Sequence, residues 1–258
     1  MKKTCGVRIN RQFYEVLISD EPEALLAAKA AGGAVLGVGE KCADFCPWLS
    51  TFLINWEEAS GERLQIIAER LVRREKLLPW NICETERLLI REATSEDFEK
   101  LLPFQRELTA GVELENIRAF KSREDLESYI SCQYGFFEYG LWILEEKKSG
   151  CLVGTAGVWN PNDAVCGRLK LTGEHPDEYL EMGYHIFSPY RRKGLAREAC
   201  QAVMDYTDWE LECKICLQIA PSNLLSRKVA ESLGFWRLFT HTNTEETGLP
   251  YLYGWSCQ

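Results

Sequence analysis

The sequence predicts an α+β protein: a mixed, mostly antiparallel sheet flanked by helices, preceded by a small α/β unit. Three observations carry this. An alternating run, Tyr179 to Phe187, reads as a strand, is followed by the glycine-containing basic turn Tyr190-Arg191-Arg192-Lys193-Gly194, and leads into a helical stretch to Tyr206. Two apolar runs, Leu141–Glu145 and Leu152–Val158, meet at a Ser149-Gly150 turn, as antiparallel neighbours do. Near the start, two apolar strands bracket one helix, a β-α-β pattern.

That first unit covers residues 1–80. Phe13–Ile18 reads as a strand. Asp20 is placed to cap a helix from Glu21 to Ala31, which opens with Glu21-Pro22-Glu23 and stops at Gly32-Gly33. Ala34–Gly39 is a continuous apolar strand, as buried parallel strands are. Residues 61–76 form an amphipathic helix with Leu64, Ile67, Ala68, Leu71 and Val72 as its stripe. Its basic run, Arg70, Arg73, Arg74 and Lys76, reads as a solvated face. Leu78-Pro79-Trp80 links to the second unit, residues 84–258. There, Leu88–Glu92 is a strand, and Ser95 and Ser122 are placed to start helices. Asn160 to Asp163 reads as a turn. After the basic turn come a strand at 215–220, a helix at 222–233 and closing strands at 235–241 and 250–256.

Composition narrows the class. At 258 residues, 46% hydrophobic and 27% charged, the chain has the make-up of a soluble globular protein, and no apolar run reaches membrane-span length. Met1–Arg8 is a poor export signal. Eleven cysteines, scattered and odd in number, form no disulfide framework, so a cytoplasmic setting is expected. Cys213-x-x-Cys216 runs into a strand, where alternate side chains diverge; no metal site is expected. Residues 1–82 hold 11 Lys+Arg and 11 Asp+Glu, whereas the remainder hold 19 and 28. That acidity disfavours nucleic acid and suits a cationic partner such as an amine.

The basic turn is the centre of the chemistry. A strand end passing through glycine into a helix start presents free N–H groups and the positive end of the helix dipole, an arrangement that holds phosphates. Arg191, Arg192 and Lys193 add charge, and Gly194 admits close approach. Arg-x-x-Gly-x-Ala, from Arg191 to Ala196, resembles the acetyl-CoA pyrophosphate loop of the GNAT superfamily of N-acetyltransferases. Asn223 to Phe235, with Asn-x-x-Ser, Ala230 and Gly234-Phe235, resembles that family's second signature. Glu84-Thr85-Glu86-Arg87-Leu88-Leu89-Ile90-Arg91 looks like the opening strand of its ribosomal-protein N-terminal-acetyltransferase branch. The resemblance covers about 84–257 and implies a GNAT-like fold and acetyl-CoA as cosubstrate, without metal. Ser19-Asp20 through Gly37-Val38 resembles a late motif of haloacid-dehalogenase-type phosphatases. The Asp-x-Asp nucleophile motif of that family is missing upstream, so a fold fragment is implied and no activity.

Acetyl transfer from a thioester to an amine needs a base, a donor for the carbonyl oxygen and a proton for the leaving thiolate. The resemblance implies that Glu181 faces the acceptor as base, with Glu178 and His185 as rivals. His185 shares the strand face of Glu181 unless a bulge intervenes. Main-chain groups near Ile186, Phe187 and Ser188 would serve the cosubstrate arm. The loop Arg191, Arg192, Lys193, Gly194, Leu195 and Ala196 would hold its pyrophosphate. Asn223 would bond the arm or cap its helix, and Ser226 would serve both binding and catalysis. Many relatives place a thiolate-protonating Tyr where this chain has Ala230, which leaves that role open. Cys200 and Cys216 raise a covalent alternative, with no basic partner at motif spacing. The expected partner is an amine acceptor, not nucleic acid or membrane, with a homodimer possible.

Overall fold

The computed structural model describes residues 1–46, 49, 51–109, 121–238 and 249–256. The chain divides into two compact units. One is Met1–Trp80 with Ala93–Glu99 and Ala119–Glu138; the other is Asn81–Glu92 with Lys100–Arg118 and Tyr139–Gln258.

The first unit opens with a hairpin the sequence reading missed. Strands β1 (Lys2–Ile9) and β2 (Gln12–Ser19) pair antiparallel from Lys2↔Ser19 to Ile9↔Gln12. The two turn residues, Asn10 and Arg11, have φ of 49° and 69°, the double left-handed geometry that matches strand twist. Helix α1 (Pro22–Ala30) crosses to β3 (Ala34–Val38), parallel to β2. Helix α2 (Glu40–Phe45), β4 (Phe52–Leu53) and α3 (Gly61–Glu75) follow, and the sheet order is β1-β2-β3-β4. One sheet face packs Val7, Ile9, Val16, Ile18, Leu36 and Val38 against Leu64, Ile67, Ala68, Leu71 and Val72 of α3. The other packs Val35 against Leu25 of α1 and Cys42 of α2.

Two local expectations fail for physical reasons. Asp20 does not cap α1: the N-cap is Glu21, which makes no side-chain cap bond. The Asp20 carboxylate instead accepts from Trp56 Nε1 at 3.1 Å and pairs with the Met1 ammonium. The Glu21 N–H is taken by Ser19 Oγ at 3.1 Å. Arg70 is not solvated either. It is 5% exposed, pairs with the Glu138 carboxylate at 3.2 Å and lies 5.2 Å from the Trp80 ring centroid. A planar guanidinium keeps its hydrogen bonds while stacking, so it can be buried where a lysine could not.

The remaining elements, in chain order, are β5 (Asn81–Glu84), β6 (Leu88–Arg91), α4 (Asp97–Leu101), α5 (Gln105–Thr109), α6 (Arg123–Tyr129), β7 (Leu141–Glu146), β8 (Leu152–Trp159), α7 (Asp163–Leu171), β9 (Tyr179–Ile186), α8 (Leu195–Tyr206), β10 (Lys214–Ile219), α9 (Leu224–Ser232), β11 (Trp236–Arg237) and β12 (Tyr251–Trp255). Helix α6 lies in the first unit, where Ser122 Oγ accepts from the Asp125 N–H at 3.0 Å, the expected cap. The second unit holds one eight-stranded sheet, order β11-β12-β10-β9-β8-β7-β6-β5. Its neighbours run antiparallel except β9 and β10, which are parallel. The mixed, mostly antiparallel α+β sheet is therefore as read. The fragment Asn160–Asp163, read as a turn, starts α7, with Asn162 as its cap. Helix α7 packs Val165 and Leu169 on Tyr179, Cys216 and Leu252 of one face. On the other, Tyr206 of α8 meets Trp142 edge-on at 5.3 Å. Of the strand expected at 235–241, residues 239–241 lie outside the described residues. Among the described residues, no helix is long and apolar enough to cross a membrane.

Candidate active site

Strands β9 and β10 pair only through Lys214↔Tyr179, Ile215↔Leu180 and Cys216↔Glu181. Beyond that last pair β9 continues to Ile186 and β10 to Ile219 without pairing to each other, so the sheet forks at Glu181. The Phe187 N–H donates to Val153 O at 2.9 Å, and the β8–β9 register is unbroken from Gly154↔Ile186 to Trp159↔Glu181. Antiparallel alternation then turns the main-chain groups of residues 181, 183, 185 and 187 to β8. Those of Tyr184 and Ile186 face the fork. Of the three expected arm-binding positions, Ile186 thus offers its N–H to the fork. The Phe187 N–H is spent on Val153, and the Ser188 N–H donates to the Glu107 carboxylate at 3.0 Å.

The turn after β9 carries the phosphate-type site. Arg192 and Gly194 have φ of 64° and 80°, and Gly194 is the N-cap of α8. No side chain caps this helix, so its first N–H groups point outward unclaimed by side chains. Arg192 and Lys193 are exposed, with Lys193 Nζ 5.4 Å from the Tyr190 ring centroid. Leu195 is buried and anchors the helix start, and Ala196 is half-buried beside it. Arg191 turns away from the helix start: Nε donates to Ile186 O at 2.7 Å and Nη2 to Glu107 Oε2 at 2.8 Å. The residues present fit an anionic diphosphate, with uncapped helix N–H groups at the floor and two cations at the rim.

Arg87 stands under this turn, and the sequence reading gave it no role. Its Nη1 donates to Lys193 O at 2.8 Å, and its Nε to Glu198 Oε2 at 2.6 Å. Glu198, in the first turn of α8, also accepts from Thr85 Oγ1 at 2.5 Å. Burial opposes ionisation of Glu198, but these donors hold its carboxyl below the usual range.

On β10's side of the fork, Asn223 caps α9 by accepting the Ser226 N–H at 3.1 Å. The Tyr184 hydroxyl, buried without a well-formed hydrogen bond, lies beside Ser226. Burial, and then Cys200, push its ionisation up, so it stays a proton donor. Ala230 is buried at the position where a tyrosine was sought. Burial raises both Cys200 and Cys216 above the ordinary thiol range, which opposes a thiolate nucleophile.

The opposite face of β9 holds the acid–base groups. No bulge interrupts β9, so Glu181, Gly183 and His185 share it. Glu181 is 2% exposed; Gln218 Nε2 donates to its Oε1 at 3.0 Å, and Arg168 Nη1 in turn donates to Gln218 Oε1 at 3.2 Å. Glu181 Oε2 is buried without a partner. Burial pushes the carboxyl above the usual range, against the pull of Gln218 and Arg168. Glu178 is paired with Lys214 Nζ at 2.7 Å, so it is spent at the surface. His185 is half-buried, with Nε2 3.4 Å from Glu107 Oε2. Glu107 gave no sequence signal: it lies on short α5 and reaches His185 only through folding.

A forked sheet with a helix start free of side-chain caps at the end of one prong is a geometry into which an extended, diphosphate-bearing molecule would fit. The family described as "Acetyltransferase (GNAT) domain" matches residues 87–236, well over half the chain, and the chain belongs to it. It is an N-acetyltransferase by family, with acyl-CoA-dependent acetyl transfer as the family chemistry. Solved structures with the same fold include a "probable acetyltransferase" (21% identity, TM-score 0.50, covering 69% of this chain and 96% of that one). The chain is also similar to an acetyltransferase of Agrobacterium tumefaciens (20% identity, TM-score 0.49, covering 68% of this chain and 94% of that one) and a ribosomal-protein-S5-alanine acetyltransferase of Vibrio fischeri (17%, 0.49, 69% and 96%).

Proposed function

We propose that the chain transfers the acetyl group of acetyl-CoA directly to a primary amine of a small molecule, a peptide or a protein N-terminus. The observation that carries this is the fork at Glu181 opening beside the uncapped start of α8. The cradle Arg192–Ala196 would hold the pyrophosphate. The Ile186 N–H would meet the arm, together with the part of the Asn223 side chain not used in capping. Ser226, with Tyr184 beside it, would supply hydroxyls to the thiolate side, where Ala230 cannot. The net charge of −9 suits a cationic acceptor and no nucleic acid. The scattered, odd-numbered cysteines of the sequence suit a reducing, cytoplasmic setting.

The test is release of free CoA from acetyl-CoA in the presence of monoamines, diamines, polyamines, amino acids and peptides with a free N-terminus. Turnover with at least one supports an enzyme. Tight CoA binding without any turnover supports instead a non-catalytic acyl-CoA sensor, the reading that Ala230 permits. For residues 1–80 we propose a structural or ligand-sensing role without phosphoryl chemistry. Phosphate-ester hydrolysis abolished by Asp20→Ala would overturn it.

A further inference from the structure

The face of β9 that carries Glu181 ends in a second acid–base group with very different surroundings. Glu181 is 2% exposed at the root of the fork, whereas the His185 side chain is 30% exposed. Four residues of strand set them about 13 Å apart. Between them the Trp159 indole lies on Gly183 so closely that a Cβ there would come within 2.4 Å of the ring. Of the two groups, His185 is the more exposed on this face, and the Trp159 indole stands between it and Glu181.

His185 is also built as a base. Glu107 Oε2 lies 3.4 Å from Nε2, and the carboxylate is fixed from two further sides, by the Ser188 N–H at 3.0 Å and Arg191 Nη2 at 2.8 Å. The carboxylate can only accept and favours a proton on Nε2, whereas Arg191 Nη2, 3.2 Å from the same nitrogen, can only donate and favours the other tautomer, so Nε2 is enclosed by both groups. Nδ1 is the ring nitrogen without a hydrogen-bond partner among the described residues, and so the one open to a substrate. Phe187, 5.9 Å from the imidazole and stacked on Phe104 at 4.1 Å, walls one side.

We propose that His185 takes the proton from the acceptor ammonium through Nδ1, with Glu107 as its positioning carboxylate, a role that rests on the acetyltransferase reading. One ammonium proton passes to His185 and then to water. The freed lone pair forms the C–N bond at the thioester carbonyl as the C–S bond breaks. The second N–H proton ends on the departing sulfur, so amide and thiol are the products. The charged groups facing the imidazole are Glu107 from α5 and Arg191 from the turn. Burial, then Arg191, lower its pKa below the ordinary histidine value, and the Glu107 hydrogen bond and charge oppose this. The ring is therefore neutral at pH 7.

The experiment compares wild type, His185→Gln and Glu107→Gln, each checked for CoA binding, by pH profiles of kcat/KM with the best acceptor of the amine panel. In parallel, NMR titrates the His185 ring in wild type and Glu107→Gln, which needs no acceptor. His185→Gln is expected to lose about 10²-fold in kcat/KM and the acidic limb with it. Glu107→Gln removes the anion that favours imidazolium. Its ring pKa and acidic limb should both move to lower pH, with a loss of about tenfold, smaller than that of the base itself. A His185→Gln protein within threefold of wild type, or one keeping the acidic limb, overturns the base assignment. A ring pKa unmoved by Glu107→Gln overturns the role of Glu107. A wild-type protein that acetylates no amine overturns the functional reading itself, a separate result.

Discussion

Gly194 separates backbone strain from electrostatics at the cradle. It caps α8 with φ of 80° and ψ of 0°, left-handed geometry that costs a side-chain-bearing residue about 1–2 kcal/mol. Space is not the issue: a Cβ there would meet only Arg87 Nη2, at 3.5 Å, an ordinary contact. Gly194→Ala should therefore lower the melting temperature by about 2–8 °C, from about 2–4 °C per kcal/mol in a chain of this size. It should leave CoA affinity within about threefold, because no cradle N–H is removed. Gly194→Glu suffers the same strain and adds a carboxylate beside the diphosphate. Each charge pair at about 4–5 Å in water-like dielectric is worth about 1 kcal/mol, so two phosphate charges cost about 2 kcal/mol. That is about 30-fold in Kd. Calorimetry with CoA at low and high salt is the assay, since about 1 M salt shortens the screening length to about 3 Å and should recover most of the loss. Equal CoA binding by Gly194→Glu and wild type would refute the cradle. An equal loss in Gly194→Ala would show that conformation, not charge, is what the cosubstrate reads.

Three further outcomes are expected. Gly183→Ala should destabilise by about 1–3 kcal/mol through overpacking, because its methyl would meet Trp159 at 2.4 Å; unchanged thermal unfolding would mean the indole moves freely. Asn223→Ala should cost about 1 kcal/mol of stability by uncapping α9, measured by denaturant titration; Asn223→Ser, which keeps a capping oxygen, should restore it, and a failure to do so would rule out the cap as the cause. Glu181→Gln should stabilise the fold selectively at alkaline pH. Because burial raises the folded-state pKa of Glu181 above the unfolded value, its favourable contribution is full below the unfolded pKa and lost as pH rises through the folded one. The gain in melting temperature should be large at pH 8 and vanish near pH 4; a pH-independent difference would contradict the buried-carboxyl account.

What the sequence made legible were features written in neighbouring residues. The stripe on α3 follows from 3.6-residue periodicity, and all five of its positions are buried. The strand, basic turn and helix from Tyr179 to Tyr206 is where it was read because alternation, glycine and a helical pattern follow one another directly. Illegible were partners brought together only by folding. Glu107 lies 78 residues from His185, on a five-residue helix with no periodic signal. Arg87 was read as part of an opening strand, but its grip on Lys193 and Glu198 exists only once β6 is beside α8. The hairpin β1–β2 was missed because Asn10-Arg11 lacks the glycine that usually marks its turn. Asp20 looked like a cap because it precedes a helix, but a distant tryptophan N–H claimed its carboxylate.

The grip of Arg87 and Thr85 on Glu198 bears on how the catalytic half can be handled as a fragment. The family match begins at residue 87, which invites a cut there. Such a cut would remove Thr85, whose hydroxyl holds Glu198, and β5, the edge strand paired to β6 from Asn81↔Arg91 to Glu84↔Leu89. It would expose the β6 backbone as a sticky open edge and loosen the carboxylate that fixes the first turn of α8. A fragment begun at the family boundary would then report weak cosubstrate binding that belongs to the cut and not to the protein.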